Sequence, residues 1–203
     1  MPKIITLSHQ KGGVGKSTLT LNLAYCFGDN LNTAIVDLDL QGTISQLKPI
    51  IKTVGVISDI KDIRSIQDLP YDVIFVDTPP YLSDQLPELF NISDLVIIPT
   101  KASVADLMAI RATIGILADA KKKKPLLKTA IVFNMVKQNA LITEEIKKII
   151  DDFGTPVLSS MVTDRLSFIR SLGINKGIYA IDDPKAKAEI DHLTEEILNI
   201  LHN

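Results

Sequence analysis

A glycine-rich segment near the start of the chain constrains the fold more than any other feature. Residues 10–18 read Gln-Lys-Gly-Gly-Val-Gly-Lys-Ser-Thr and follow a short apolar run that ends at Ser8. Small residues let the backbone curl round a polyphosphate, so that main-chain N–H groups and the next helix N-terminus face the anion. In such loops a lysine reaches the outer phosphates and a hydroxyl ligates Mg²⁺, and Lys16 and Ser17 fit these roles. The segment therefore predicts a strand, a phosphate-binding loop and a helix, in that order.

The loop departs from the simple pattern G-x-x-x-x-G-K-[ST] in two ways. Gln10 stands where the first glycine would be, and a second lysine lies inside the loop, where the simple pattern needs none. His9 precedes the loop, and we expect it to have a structural role. The predicted cofactor-binding loop consists of Lys11, Gly12, Gly13, Val14, Gly15, Lys16, Ser17 and Thr18.

Acidic residues end the next two predicted strands. Asp37 and Asp39 close the run that begins at Thr33, and Asp77 closes the apolar run over residues 73–76. Residues two apart in a strand share a face, and ligands of parallel sheets bind at the carboxyl ends of the strands. An aspartate in the position of Asp77 commonly holds Mg²⁺ through water. Together with the loop, these residues predict nucleotide chemistry.

Strand and helix patterns alternate along the chain, and the strands are continuously apolar, which indicates parallel strands buried on both faces. We therefore predict an α/β fold with a single doubly wound, mostly parallel sheet and helices on both faces, in one domain over residues 1–203. Ser103 with Asp106, and Asp183 before Pro184, mark two helix starts. Residues 40–70 are the least readable. Predicted strands cover residues 4–8, 33–38, 73–76, 95–98 and 130–133, and predicted helices cover 17–27, 82–91, 103–120, 140–150 and 185–201.

Composition excludes several classes of protein. Apolar residues make up 46% of the chain, enough for a core, and 22 basic residues against 24 acidic ones argue against constitutive nucleic-acid binding. The single cysteine, Cys26, excludes an internal disulfide and a cysteine-ligated iron–sulfur cluster within one chain. No apolar run approaches the roughly 18 residues of a membrane span, and the N-terminal apolar stretch is too short for a signal peptide. A cytoplasmic protein is expected.

These motifs resemble the ParA/MinD family of deviant Walker-A ATPases, in the SIMIBI class of P-loop proteins. The resemblance covers essentially the whole chain and is closest in length to small partition ATPases of the ParA type. Because the loop begins at residue 10, we expect no N-terminal helix-turn-helix extension. Leu40 stands where the family usually has proline, and the segment 40–70 is short for the family. The markers are residues 11–18, Asn22-Leu23-Ala24, Asp37-Leu38-Asp39-Leu40-Gln41-Gly42, Asp77-Thr78-Pro79-Pro80 and Ile97-Ile98-Pro99.

The resemblance implies three catalytic residues. Lys16 would bind the β- and γ-phosphates of ATP. Lys11 would reach across a nucleotide-sandwich homodimer to the partner's phosphates and neutralise transition-state charge, as an arginine finger does. Asp39 would position the attacking water.

The resemblance also implies a set of residues around the metal and the base. Ser17 would ligate Mg²⁺, Asp77 would lie beyond it, and Asp37 would help to hold the metal's water shell. Asn134 matches the position that reads adenine, because an amide offers both a donor and an acceptor. The alternative for Asn134 is a polar strand end without a ligand.

The implied function is slow, partner-stimulated ATP hydrolysis that segregates or positions plasmid or chromosomal DNA. The ATP-bound homodimer would bind DNA without sequence preference and be nucleoid-associated, and a ParB-like centromere-binding protein would stimulate hydrolysis. DNA binding requires basic residues that contact phosphates. We favour the cluster of Arg165, Arg170 and Lys176 as the DNA contacts. The alternative is the stretch of residues 101–128, which contains seven basic and two acidic residues.

Two alternatives share the fold. A MinD-like ATPase would position a cargo on a membrane or a protein cluster, and membrane binding needs a C-terminal amphipathic helix with a basic polar face. Residues 182–203 carry an apolar stripe, but six acidic residues and two lysines make their polar face acidic. We therefore expect this helix to pack on the sheet and expect no membrane partner. A dethiobiotin-synthetase-type ligase would have no use for Lys11 in trans.

Overall fold

The structure is a computed structural model that describes residues 1–39, 42–81, 84–137 and 140–202. Its strands form one parallel sheet of seven strands in the order β3-β2-β4-β1-β5-β6-β7, which confirms the predicted fold class. The strands are β1 (Lys3–Leu7), β2 (Thr33–Asp37), β3 (Gly55–Ile57), β4 (Val73–Asp77), β5 (Leu95–Thr100), β6 (Lys128–Val136) and β7 (Val157–Thr163).

Helices cover both faces of the sheet, as predicted. One apolar core lies between the sheet and the helices that begin at Lys16, Leu166 and Pro184, and the other lies between the sheet and the helices that begin at Leu86, Val104 and Ala140. Short 3-10 turns occupy Ser45–Leu47, Ile63–Asp68 and Gly177–Ala180. In the described part of the chain, the α-helices are α1 (Lys16–Gly28), α2 (Leu86–Ile92), α3 (Val104–Lys123), α4 (Ala140–Asp151), α5 (Leu166–Ser171) and α6 (Pro184–His202).

Burial explains which strands the sequence revealed. Every residue of β2, β4 and β5 is buried, because helices cover both faces of these strands and remove any polar alternation. At the edge of the sheet, β7 mixes buried, half-buried and exposed residues, and the sequence pattern did not predict it. The three-residue strand β3 and the short helix α5 were also missed. The helix predicted over residues 82–91 begins at Leu86, and residues 82 and 83 lie outside the described residues.

Both predicted helix starts are confirmed. The Ser103 hydroxyl accepts the Asp106 N–H at 3.3 Å, and the Asp183 carboxylate accepts the Ala186 N–H at 3.1 Å. The last helix, α6, packs on β7 and α1, as expected from its acidic polar face. Its apolar stripe is buried at Ile190, Leu193 and Ile197. Among the described residues, no helix has the length and hydrophobicity that a bilayer crossing requires.

Candidate nucleotide-binding site

The predicted phosphate loop joins β1 to α1 at the carboxyl edge of the sheet. Gly13 and Gly15 have φ angles of 70° and 84°, in the left-handed region that favours glycine. A Cβ atom on Gly15 would lie 2.4 Å from Asn134 Nδ2, which comes from the end of β6. Glycine is therefore required here for two reasons, backbone conformation and close approach. The phosphate loop and the end of β6 are therefore in close contact.

The two lysines of the loop occupy different places. Lys16 is buried, and its Nζ donates to the carbonyl oxygens of His9 and Lys11, each at 3.3 Å. Burial lowers the pKa of Lys16, and the carboxylates of Asp77 and Asp39 oppose that shift. Lys11 instead lies at the rim of the loop, where its side chain is 38% exposed. Lys16 therefore faces the interior of the loop, while Lys11 extends away from it.

His9 holds the phosphate loop through a hydrogen bond to the loop's main chain. Its ring is buried, and Nδ1 accepts the Lys11 N–H at 3.0 Å. Burial lowers the pKa of His9 to about 4; Asp106 opposes this shift, and Lys16 and Lys11 add to it. The ring is therefore neutral at pH 7 and can accept the hydrogen bond through Nδ1. This is a structural role, as expected.

Two predicted metal residues lie side by side but differ in their contacts. Asp37 and Asp77 are paired in register at the ends of β2 and β4. Asp37 accepts the N–H groups of Asp39, Ile44 and Ser45 at 3.1, 3.1 and 2.8 Å, and the Ser45 hydroxyl at 2.9 Å. Its oxygens thus fasten the loop that follows β2, a contact that the sequence did not reveal.

The Asp77 carboxylate is fully buried, and neither oxygen has a hydrogen-bond partner of normal geometry among the described residues. Burial raises its pKa to about 7. The Ser17 hydroxyl and Lys16 lower the pKa, and the carboxylates of Asp37 and Asp39 raise it. A buried carboxylate without a donor is costly unless another group compensates it.

A magnesium ion bound with a nucleotide would compensate the Asp77 carboxylate. Within the described residues no group of three or more His, Cys, Asp or Glu side chains could hold a metal alone. Mg²⁺ usually keeps several waters and takes one or two protein oxygens together with substrate phosphates. The Ser17 hydroxyl on the first turn of α1, with the Asp77 carboxylate close to it, fits this mode of Mg²⁺ coordination. Ser17 and Asp77 are therefore suited to hold a Mg²⁺ ion that also binds the phosphates of a nucleotide.

Asp39 lies just beyond β2, half-buried, at the same edge of the sheet. Its carboxylate affects the pKa values of both Lys16 and Asp77, which places it within electrostatic range of the loop. The Gly42 N–H donates to its carbonyl oxygen at 2.7 Å. Leu40, the residue that replaces the family proline, and Gln41 lie outside the described residues.

Asn134 lies against the loop at the end of β6. Its Nδ2 donates to the Val14 carbonyl at 2.8 Å, and the side chain is buried. Beside it, a pocket opens between α1, β7 and α5. Apolar side chains dominate its lining, which suits a flat heterocycle. These side chains are Leu19, Met135, Val162, Phe168 and Ile169. The sequence did not reveal the last three, because β7 and α5 were not predicted.

The predicted DNA residues divide into two groups. Arg165 lines the pocket and pairs with Glu189 at 3.0 Å and Asp183 at 4.0 Å, so its charge is offset. A contact between Arg165 and DNA stays a prediction. Arg170, in α5, and Lys176, just after it, are exposed.

The alternative basic stretch, residues 101–128, has structural contacts at its end. Lys121 Nζ donates to the Thr129 hydroxyl at 2.7 Å, and Lys124 Nζ donates to the Ser93 carbonyl at 2.6 Å. Lys122 pairs with Asp119 on the same helix. These contacts account for three of the four consecutive lysines.

Comparison with known proteins places this site in a family. Residues 5–176 match the family described as the CobQ/CobB/MinD/ParA nucleotide binding domain. The chain is 27% identical over 208 residues to the "maintenance of carboxysome distribution protein A" of Halothiobacillus neapolitanus, over 96% of this chain and 95% of that protein.

Two solved structures share the fold over nearly their whole length. A plasmid partition protein of Borrelia burgdorferi B31, bound to AMPPNP, has a TM-score of 0.77 and 22% identity, covering 98% of this chain and 99% of its own. The MinD cell division protein of Aquifex aeolicus has a TM-score of 0.77 and 17% identity, covering 97% of each chain. The chain belongs to the CobQ/CobB/MinD/ParA nucleotide-binding family and is an ATPase of the ParA/MinD type.

Proposed function

We propose that the chain is a ParA-type positioning ATPase that binds Mg-ATP, forms a nucleotide-sandwich homodimer and then binds DNA without sequence preference. The observation that carries this proposal is the separation of the two loop lysines. Lys16 Nζ faces the loop interior, whereas Lys11 lies at a partly exposed rim. A second lysine in that position is suited to a phosphate that belongs to the opposite subunit.

Each site residue then has a proposed task. Lys16 binds the β- and γ-phosphates, and Asp39 orients the attacking water. Ser17 ligates Mg²⁺ and Asp77 lies behind it; when bound, the ion stabilises negative charge on the phosphate oxygens. The contacts of Asp37 support a task in holding the loop after β2. Asn134 and its neighbouring pocket receive the adenine.

Nucleotide-dependent assembly provides the first test. Light scattering should give a monomer with ADP and a dimer with ATP and Mg²⁺. Asp39→Ala should accumulate the dimer because hydrolysis stops, and Lys11→Ala should remain monomeric. Lys122→Ala is the matched control, because this exposed lysine lies on α3 in an ion pair with Asp119. A wild-type chain that stays monomeric with ATP, together with a monomeric Asp39→Ala variant, would refute the proposal.

The DNA surface is proposed to include Arg170 and Lys176, which are exposed. Arg165 is the weakest of the three predicted contacts, because two carboxylates already pair with it. The double variant Arg170→Glu/Lys176→Glu should abolish ATP-dependent DNA retention and leave dimerisation intact. Lys122→Glu/Lys123→Glu carries the same charge change at the end of α3 and should retain DNA. Equal losses in both variants would contradict the choice of surface.

The cargo has two candidates. Resemblance to partition ATPases favours plasmid or chromosomal DNA, with a ParB-like centromere-binding protein that stimulates hydrolysis. A specific observation favours a protein body instead: the relative matched over 96% of this chain is named for carboxysome distribution. In that case the stimulating partner is an adaptor on the protein body. Deletion of the gene should cause loss of plasmid or chromosome in the first case and clustering of the protein body in the second.

Membrane positioning and ligase chemistry are tested alongside. The buried stripe of α6 supports DNA rather than lipid as the surface on which the dimer moves. Retention on DNA, but not on anionic liposomes, is expected with ATP, and the reverse result would favour a MinD-like role. Formation of a product other than ADP and phosphate from candidate small-molecule acceptors would favour the ligase alternative.

A further inference from the structure

A buried carboxylate on α3 faces the rim of the phosphate loop. Asp106 lies on the first turn of α3 and its side chain has no exposed surface. One oxygen, Oδ2, accepts the Ser103 hydroxyl. The other, Oδ1, lies 2.9 Å from Lys11 Nζ, in an ion pair whose geometry falls outside that of a normal hydrogen bond. Two residues 95 positions apart in sequence are therefore paired at the edge of the site.

The start of α3 does not need this second oxygen. The Ser103 hydroxyl already accepts the Asp106 N–H at 3.3 Å, and the Ser103 N–H donates to the Lys101 carbonyl at 2.8 Å. Helix capping therefore engages the main chain and Oδ2 alone. Among the described residues, Lys11 is the only cation within ion-pair distance of Asp106. Capping alone leaves Oδ1 without a function.

The main chain of Lys11 is held by hydrogen bonds within the loop, whereas its ammonium contacts Asp106 at the end of a flexible side chain. Its N–H donates to His9 Nδ1 at 3.0 Å, and its carbonyl oxygen accepts Lys16 Nζ at 3.3 Å. The ammonium is carried on a flexible four-carbon stem, and the side chain is 38% exposed. A change of partner therefore needs only side-chain rotation, while the loop keeps its shape.

We propose that Asp106 is a positioning residue that holds Lys11 within its own subunit until the nucleotide-sandwich dimer forms. This inference rests on the proposed trans role of Lys11. Moving Lys11 to the partner's phosphates leaves the Asp106 carboxylate buried without a counter-charge, which is unfavourable. The ion pair therefore opposes assembly, and only a strong anion such as a triphosphate can displace the carboxylate. Asp106 thus helps to make dimerisation depend on ATP.

The substitution Asp106→Asn separates charge from shape. The amide oxygen can still accept the Ser103 hydroxyl, but the attraction for Lys11 is lost. We expect the dimer dissociation constant, measured with AMPPNP and Mg²⁺, to fall by about tenfold. Ser103→Ala is the control for helix capping: it should lower Tm and should not tighten the dimer. A dissociation constant for Asp106→Asn that is unchanged or higher would overturn the proposal, and a higher one would mean that Asp106 directs Lys11 toward the partner.

A second experiment measures the ion pair without dimerisation. Lys11→Met, Asp106→Asn and the double variant are unfolded with urea as ADP-bound monomers. We expect the two substitutions to be coupled by about tenfold in the unfolding equilibrium constant, because Lys11→Met alone leaves a buried unpaired charge. Coupling below about twofold, in a chain that still dimerises with AMPPNP, would overturn the inference and leave the proposed function standing. If the two substitutions are coupled but the wild-type chain never dimerises with AMPPNP, the proposed function is wrong, and so is the proposed role of Asp106.

Discussion

Asp37 and Asp77 occupy the same register position at the ends of neighbouring parallel strands, yet among the described residues only Asp37 accepts hydrogen bonds of normal geometry. Four donors surround Asp37, and neither oxygen of Asp77 has a normal partner among the described residues. The same chemical change should therefore have opposite effects at the two positions. The Asp37 carboxylate stabilises the fold. The Asp77 carboxylate lowers the stability of the nucleotide-free protein and lies in a position suited to a cation.

Asp77→Asn should stabilise the nucleotide-free, metal-free protein at pH 8. The folded-state pKa of about 7 lies above the ordinary value of 3.8, so the stability that protonation provides is lost as pH rises through this window. The substitution removes that loss, and the gain should grow from nearly zero at pH 4 to at most ~4 kcal/mol at pH 8. Urea unfolding in EDTA at both pH values measures it. ATP hydrolysis with Mg²⁺ should fall roughly 10–100-fold. Equal stability of variant and wild type at pH 8 would contradict the unpaired state of Asp77.

Asp37→Asn should destabilise the protein by about 1–3 kcal/mol, because an amide NH₂ cannot accept the N–H groups that one carboxylate oxygen accepts. The measurement belongs at pH 5, where Asp77 is protonated and repulsion between the two carboxylates does not contribute. The same substitution in an Asp77→Asn background at pH 8 is the control and should cost a similar amount. A stabilised Asp37→Asn variant at pH 5 would mean that charge repulsion, rather than hydrogen bonding, dominates this position.

The sequence predicted features that depend on neighbours along the chain. The strand that ends at Asp77 is continuously apolar because both faces are covered, and the start of α3 follows from the spacing of Ser103 and Asp106. Contacts between distant segments were not predictable. The pairing of Lys11 with Asp106 requires the loop after β1 and the start of α3 to meet at one edge. The ion pair of Arg165 with Glu189 was also not predictable, because Glu189 lies on a later helix.

His9→Asn should change how the free energy of unfolding depends on pH. The folded-state pKa of about 4 lies below the ordinary value of 6.5, so the unfolded chain takes up a proton first as pH falls. Stability is therefore complete above pH 6.5 and falls between pH 6.5 and 4. Between pH 7 and 5, the wild type should lose about 2 kcal/mol that the variant retains. Urea unfolding at pH 7, 6 and 5 tests this, with exposed His192→Asn as the control. Parallel stability curves for wild type and His9→Asn would show that folding does not lower the pKa of the His9 ring.

Gly15→Ala should damage the nucleotide site more than its backbone strain alone explains. A Cβ at this position would lie 2.4 Å from Asn134 Nδ2, so the added methyl would push Asn134 away from the Val14 carbonyl. Gly154→Ala is a matched control, because Gly154 also has a positive φ of 65° but no atom within 4 Å of the added Cβ. Strain alone should cost about 1 kcal/mol in the control, with nucleotide affinity unchanged. Gly15→Ala should cost more in urea unfolding and lower ATP affinity at least about tenfold, because the phosphate loop and the pocket beside Asn134 both shift. Equal effects of the two substitutions on stability and on ATP affinity would mean that the approach of Asn134 to the loop does not shape the site.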